Sequence, residues 1–232
     1  MLVFGKNVAK AVLDKKIKIK KIYLQDNFKE KEIISLVEKS NLEMKYLQKN
    51  EMDHLCPGLH QGIILDIPDY KYASLDDFVK KEEELVVILD HLEDPHNLGA
   101  IIRTCEAAGI KSVILPKDRQ VLVNSTVMKT SVGTLLDVSL VLVSNLNLTI
   151  NRLKEEGYWI VGTSLDGSID YRQVDYNGKT ALVIGNEGAG ISDLVSKNCD
   201  FLAKIPMYGK TNSLNASVAA GIMIYEMIRN RK

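Results

Sequence analysis

Three short segments collect the side chains that could do chemistry in this chain. They are Asp94-Pro95-His96-Asn97-Leu98-Gly99-Ala100-Ile101-Ile102-Arg103, Ile184-Gly185-Asn186-Glu187-Gly188-Ala189-Gly190, and the run Ile205-Pro206-Met207-Tyr208-Gly209-Lys210-Thr211-Asn212-Ser213-Leu214-Asn215-Ala216-Ser217. Each puts Gly, Pro, Asn or Ser where a predicted strand hands over to a predicted helix. Open α/β sheets bind ligands at such junctions, where backbone N–H and C=O groups are exposed. In the first segment Pro95 stops the strand and Asn97 is the expected N-cap of a helix from Leu98. Leu98, Ile101, Ile102, Cys105 and Gly109 would be its buried stripe, with Arg103 opposite. Periodicity alone reads Arg103 as a solvated arginine with Glu106 in reach at i+3. In the second segment the glycines let backbone approach a ligand closely, and Glu187 is either solvated on a tight turn or ligand-facing. The segment lacks the Lys-Ser/Thr of a P-loop and comes too late for a dinucleotide fingerprint. In the third, Ser213 is an N-cap or a ligand contact. Asn215 falls one or two residues inside an apolar helix, where a buried amide needs partners.

The elements that must position these groups alternate as strand and helix from residue 84 onward. Apolar strands are expected at Leu85–Asp90, Ser112–Leu115, Val138–Val143, Tyr158–Thr163, Ala181–Ile184 and Phe201–Ile205, with helices between them and a last helix over Ser213–Arg229. That pattern predicts α/β class with a parallel sheet covered on both faces. Residues 1–68 read as a separate small α/β unit with a strand over Lys18–Leu24, and residues 69–83 as a polar linker that runs into a helix. From Ala216 to Tyr225 only Ser217 is polar. A helix apolar all round is buried on more than one side, so core plus a homodimer interface is the expectation.

Composition narrows the classes. Of 232 residues 46% are hydrophobic, ordinary for a globular chain. No apolar run reaches the ~20 residues of a spanning helix and the start lacks a signal-peptide core, so no membrane and a cytoplasmic location are expected. Cys56, Cys105 and Cys199 form no CxxC, and His91 and His96 lack metal-ligand spacing, so no metal is expected. Net charge is zero, but residues 1–68 carry twelve lysines against nine acids, and the remainder eighteen basic against twenty-one acidic residues. Lys16, Lys18 and Lys20 would share one strand face opposite Ile17 and Ile19. They either protect an edge strand or track RNA phosphates.

Taken in order, the three segments resemble the signature motifs of the SpoU (TrmH) family of RNA ribose methyltransferases, within the SPOUT superfamily. The first is similar to D-P-x-N-x-G-A-x-x-R, the second to G-N-E-G-x-G, and the third, over Ile205–Ile222, to I-P-M-x-G-x-x-x-S-L-N-x-S-V-A-x-G-I. Phe4-Gly5-Lys6-Asn7 and His60-Gln61-Gly62-Ile63 resemble, over a shorter stretch, the family's ribosomal-protein-like RNA-binding domain. They point to the RlmB-type enzymes acting on a guanosine of 23S rRNA. The resemblance implies a SPOUT domain with a deep trefoil knot over residues 84–232, a homodimer, and S-adenosylmethionine as cofactor. It implies that Thr163, Gly185, Ile205 and Leu214 line the cofactor cleft. It also implies that Arg103 serves the 2′-hydroxyl, with Asn97, Glu187, Ser213 and Asn215 positioning Arg103, the ribose and the cofactor. Lys16, Lys18 and Lys20 would meet RNA.

Other readings stay open at this level. The substrate could be a tRNA guanosine, or the chain a non-catalytic RNA-binding protein, though a binding module has no need of all five polar residues. A nucleotide hydrolase or dehydrogenase is disfavoured by the missing P-loop lysine and the late glycine loop.

Overall fold

The structure, a computed structural model, describes every residue except Asn41, Asp166, Gly167, Glu187, Asn230 and Lys232. The chain runs β1 (Leu2–Phe4), α1 (Lys6–Asp14), β2 (Lys21–Gln25), α2 (Lys31–Lys39), β3 (Met44–Leu47), α3 (Lys49–Leu55), β4 (Ile63–Asp66), α4 (Leu75–Val79), β5 (Leu85–Leu89) and α5 (Pro95–Ala107). It continues through β6 (Ser112–Pro116), α6 (Ser125–Thr130), β7 (Ser139–Val143), α7 (Leu146–Glu155), β8 (Trp159–Thr163), β9 (Ile169–Asp170), β10 (Thr180–Ile184), α8 (Asp193–Lys197), β11 (Phe201–Lys204) and α9 (Ala216–Ile228). These elements form two compact units. One is Met1–Lys71 with Val123–Leu136; the other is Tyr72–Leu122 with Asp137–Lys232.

The first unit is built on a four-stranded sheet of order β1-β4-β2-β3. In β2, Ile22 and Leu24 are fully buried while Lys21, Tyr23 and Gln25 alternate to the other face, as a period of two requires. Gly5, at φ +96°, turns the chain from β1 into α1, a conformation glycine adopts without strain. The expected strand over Lys18–Leu24 begins only at Lys21. Lys16 sits at φ +53° in the turn after α1, so Lys16, Lys18 and Lys20 are not a ladder face. All three are exposed, and Ile19 between them is buried.

The second unit carries a seven-stranded sheet of order β7-β6-β5-β10-β8-β11-β9, parallel at every pairing. β10 lies at its centre between β5 and β8, and all five of its residues are buried. Sheets covered on both faces demand such continuous apolar strands. Val86, Ile88, Ala181 and Val183 pack with Ile150 and Leu153 of α7, Val195 of α8 and Phe78 of α4. Val87, Leu89, Leu182 and Ile184 alternate to the opposite face, where α9 reaches β10 and α5 packs along α9.

At two of the expected boundaries the structure adds detail. The segment 69–83 is not a free linker from Tyr72 onward. Ala73 bridges to Val141, Ser74 and Asp77 form a capping box that starts α4, and Phe78 is fully buried against Tyr158. Truncating a buried Phe to Ala costs about 3–5 kcal/mol, so this segment belongs to the core. The stretch 84–232 is also not continuous in space: Val123–Leu136, with α6, groups with the first unit.

Candidate functional site

Because β5, β10, β8 and β11 are adjacent and parallel, their C-terminal ends fall on one edge of the sheet. The loops leaving β8, β10 and β11, with the first turns of α9, enclose a cavity of about 460 Å³, within the range of small-molecule sites. Its walls combine apolar groups such as Leu165, Ile184, Ile191 and Met223 with the backbone of Gly185, Gly188 and Gly190.

The loop after β10 owes its shape to its glycines and to Asn186. Backbone hydrogen bonds of 2.9 and 3.0 Å join Asn186 and Gly190 in both directions. The Asn186 Oδ1 accepts the Gly188 N–H at 2.8 Å. A Cβ on Gly185 would stand 2.1 Å from the carbonyl carbon of Gly190 and 2.3 Å from the Ile191 nitrogen. Backbone therefore passes over residue 185 where any side chain would be, and the cavity keeps a bare peptide wall there.

Thr163, Gly185, Ile205 and Leu214, the four residues expected at a cofactor, all line this cavity. Ser213 lines it as well and is exposed. Thr163 turns its hydroxyl to the Val183 carbonyl at 3.1 Å. None of the cavity-lining residues comes from the Asp94–Arg103 segment.

That segment differs from expectation in its cap. The helix α5 starts at Pro95, and Asp94 is its N-cap, accepting the His96 N–H at 2.8 Å. Pro95 occupies the first helical position, where its missing N–H costs nothing. Asn97 is thereby drawn into the first turn and buried. Asn215 is likewise not inside α9 but its N-cap, and it is exposed. Its Oδ1 accepts from the Ser217 N–H at 2.9 Å and the Ser217 hydroxyl at 2.6 Å, leaving Ser213 outside the cap. The Asn215 Nδ2 donates to the Asn97 Oδ1 at 2.9 Å, so the two amides join the starts of α5 and α9.

Arg103 is exposed and makes no hydrogen bond or ion pair among the described residues; the pairing with Glu106 does not form. Leu98, Ile101, Ile102 and Cys105 form the buried stripe, whereas Gly109 is exposed. Glu187 lies outside the described residues. Among the described residues no group of three or more His, Cys, Asp or Glu could hold a metal, and no helix is long and apolar enough to cross a membrane.

Motif reading missed Ser164, Leu165 and Lys204, which also line the cavity, and gave Met207 of the third segment no role there. All three follow or end strands of the sheet, so strand ends were the available signal. Near Lys204, Asp170 of β9 accepts two hydrogen bonds from Arg172, at 2.9 and 2.6 Å, which hold its carboxyl down at about 2.

Residues 84–225 match the SpoU rRNA Methylase family, and residues 2–73 match the RNA 2′-O ribose methyltransferase substrate binding family. The chain is 41% identical over 237 residues to YacO of Bacillus subtilis (strain 168), which bears the name of a TrmH family tRNA/rRNA methyltransferase; the match covers 99% of this chain and 95% of that one. Its fold is similar to the SpoU methyltransferase AviRb from Streptomyces viridochromogenes in complex with AdoMet, at TM-score 0.83 and 25% identity, covering 100% and 90% of the two chains. It is equally similar, at TM-score 0.83 and 28% identity, to an AdoMet-bound rRNA methyltransferase from Sinorhizobium meliloti, covering 100% and 87%. With motifs, fold and a matching region that spans most of its length, the chain belongs to the SpoU rRNA methylase family of RNA ribose methyltransferases.

Proposed function

We propose that this enzyme methylates the ribose 2′-hydroxyl of a guanosine in 23S rRNA, with S-adenosylmethionine bound in the cavity at the ends of β8, β10 and β11. The observation that carries this reading is the division of labour around that cavity. The second and third segments line it, while the first presents Arg103 to solvent outside it. The bare backbone at Gly185 and the apolar wall fit a flat, partly polar group such as adenosine, which needs close peptide contact and few charges.

S-adenosylmethionine held there would supply the methyl group, the new oxygen–carbon bond replacing the carbon–sulfur bond, and the hydroxyl proton would pass to water. The chain must align donor and acceptor and help the hydroxyl shed its proton. A guanidinium is a poor general base, so the role of Arg103 is to hold an RNA phosphate and stabilise the developing 2′-oxyanion. The Asn97–Asn215 hydrogen bond keeps the α5 carrying Arg103 in register with the α9 whose first turns line the cavity. Ser213 and Glu187 take positioning roles toward ribose and cofactor. Lys16, Lys18 and Lys20 give the first unit an exposed cationic stretch that can follow a phosphate backbone.

The same reading includes a homodimer through α9, a knotted second unit, and the cytoplasm as the site of action. The dimer is supported by Val218 and Tyr225 of α9, which are 51% and 52% exposed.

The test is to incubate the protein with labelled S-adenosylmethionine and unmethylated 23S rRNA or tRNA from its own source and to map the label. Label on a 23S guanosine ribose is the expected result. Label on tRNA alone would move the substrate to tRNA, and no transfer to either RNA would refute the reading.

A further inference from the structure

Asp90 closes strand β5, and its side chain is 1% exposed. A strand end has no need of a buried carboxylate, which is costly to bury unless its oxygens are satisfied. Here both are engaged. Oδ2 accepts the Ser192 N–H at 2.7 Å, and Oδ1 lies 2.5 Å from Nδ1 of His91. The Asp90 N–H donates to the Ile184 carbonyl at 2.8 Å, extending the β5–β10 ladder to the residue before Gly185. His91 adopts φ +60°, and its carbonyl accepts the Asn186 Nδ2 at 2.8 Å. Two consecutive residues thus hold both ends of the loop Gly185–Ile191. His91 fixes its entry through Asn186, and Asp90 fixes its exit through Ser192. The loop's internal bonds between Asn186 and Gly190 close it on itself but do not attach it to the sheet. Asp94, the cap of α5, follows four residues after Asp90.

We infer that Asp90 is a positioning residue whose carboxylate latches the cofactor-facing loop Gly185–Ile191 to the sheet and sets that loop against the start of α5. The inference rests on the proposed function for its meaning, since a loop that lines the donor cavity must be held before the donor arrives. A hydrogen bond to a charged group is worth enough to change a local opening equilibrium by about tenfold or more. Asp90→Asn keeps an acceptor oxygen for Ser192 and turns an amide N–H to the His91 ring, whose Nδ1 then accepts in the other neutral tautomer, so the geometry survives. Asp90→Ala loses both. Ser192→Pro removes the N–H from the other side, and Ser192 already sits at φ −65°, the value proline prefers.

Amide exchange on the full ligand-free chain reads the latch directly. In Asp90→Ala and in Ser192→Pro the peptide covering 185–192 should exchange about tenfold faster or more, while β5 and β10 keep their protection. Asp90→Asn should stay within about threefold of the parent chain. Calorimetry with S-adenosylhomocysteine should follow the same order. In turnover, Asp90→Ala should raise the KM for S-adenosylmethionine more than it lowers kcat, with Asp90→Asn restoring it. Unchanged loop exchange in Asp90→Ala, or equal loosening in Asp90→Asn and Asp90→Ala, overturns the inference. If the parent chain binds no S-adenosylhomocysteine, the donor reading of the cavity fails, and the exchange comparison still decides the latch.

Discussion

Arg103 shows how little a residue's own contacts reveal of its use. It is solvent-facing, unpaired among the described residues, and outside the cavity wall. A charge so placed does nothing for stability, so Arg103→Ala should leave Tm within about 1 °C. Methyl transfer should fall by at least ~100-fold, in the range seen when an oxyanion-stabilising donor is removed. Retained activity with normal RNA binding would remove Arg103 from the mechanism. Asn215 is the opposite case, since it caps α9 and reaches Asn97. Asn215→Ala should lose about 1–2 kcal/mol of stability from the cap alone, and activity with it. Asn215→Asp keeps the cap acceptor and should recover most of the stability, as thermal melts of the two variants will show. Equal melting of the two would mean that the cap is not what Asn215 contributes.

At the scale of elements, the loop after β10 and the helix α9 make separate predictions. Gly185→Ala puts a methyl group 2.1 Å from backbone, not from a side chain that could swing away. The loop must open, so donor binding by calorimetry should weaken by about tenfold or more, with the sheet intact by circular dichroism. Unaltered affinity would contradict the close wall. In α9 the buried Ala216, Ala220, Met223, Ile224 and Met227 face the sheet and α5, while Val218 and Tyr225, seven residues apart, share the exposed side. The dimer proposed above would use this side of α9. Val218→Asp with Tyr225→Asp should therefore yield monomers in sedimentation velocity where the parent chain sediments as a dimer. A parent chain that is monomeric, or a double variant that still dimerises, counts against the α9 interface.

Across the whole molecule, burial holds several weak acids protonated. It pushes the Cys199 thiol and the Tyr158 phenol up to about 12 and moves Cys56, Cys105 and Tyr176 in the same direction. The unfolded chain releases these protons from about pH 9 upward, whereas the native chain keeps them. Above that pH the unfolded state binds fewer protons, so stability falls as pH rises toward about 12 and is unaffected by these groups below about pH 8. Tm measured at pH 8, 9.5 and 11 should decline steadily; a flat or rising series would show that the thiols and phenols are not shielded. The same burial should make all three cysteines slow to alkylate at pH 8 in the native chain.

Much of this was legible in the sequence because it is local. Continuous apolar runs bounded by Gly, Asn and Pro mark the parallel strands, and their C-terminal ends mark the cavity. That Thr163, Gly185, Ile205 and Leu214 should share the cavity is what the family resemblance implies, and all four line it. The motif order was also sufficient to indicate the family. What sequence left open turns on distances between segments. Asp94, not Asn97, caps α5, and Asn215 caps α9, because helix starts are decided by which side chain can reach a free N–H, and Asp94–Pro95 and Asn215–Ser217 compete with near neighbours of the same type. Lys16 to Lys20 alternate like a strand, but the first backbone hydrogen bond to β4 is from the Lys20 N–H to the Asp66 carbonyl. Phe78 looks like part of a charged linker until Tyr158 covers it. The carboxylate of Asp90 finds the Ser192 amide 102 residues away, and Gly190 passes over Gly185. Periodicity carries no information on such meetings, because it records which face a residue takes and not what the folded chain brings to that face.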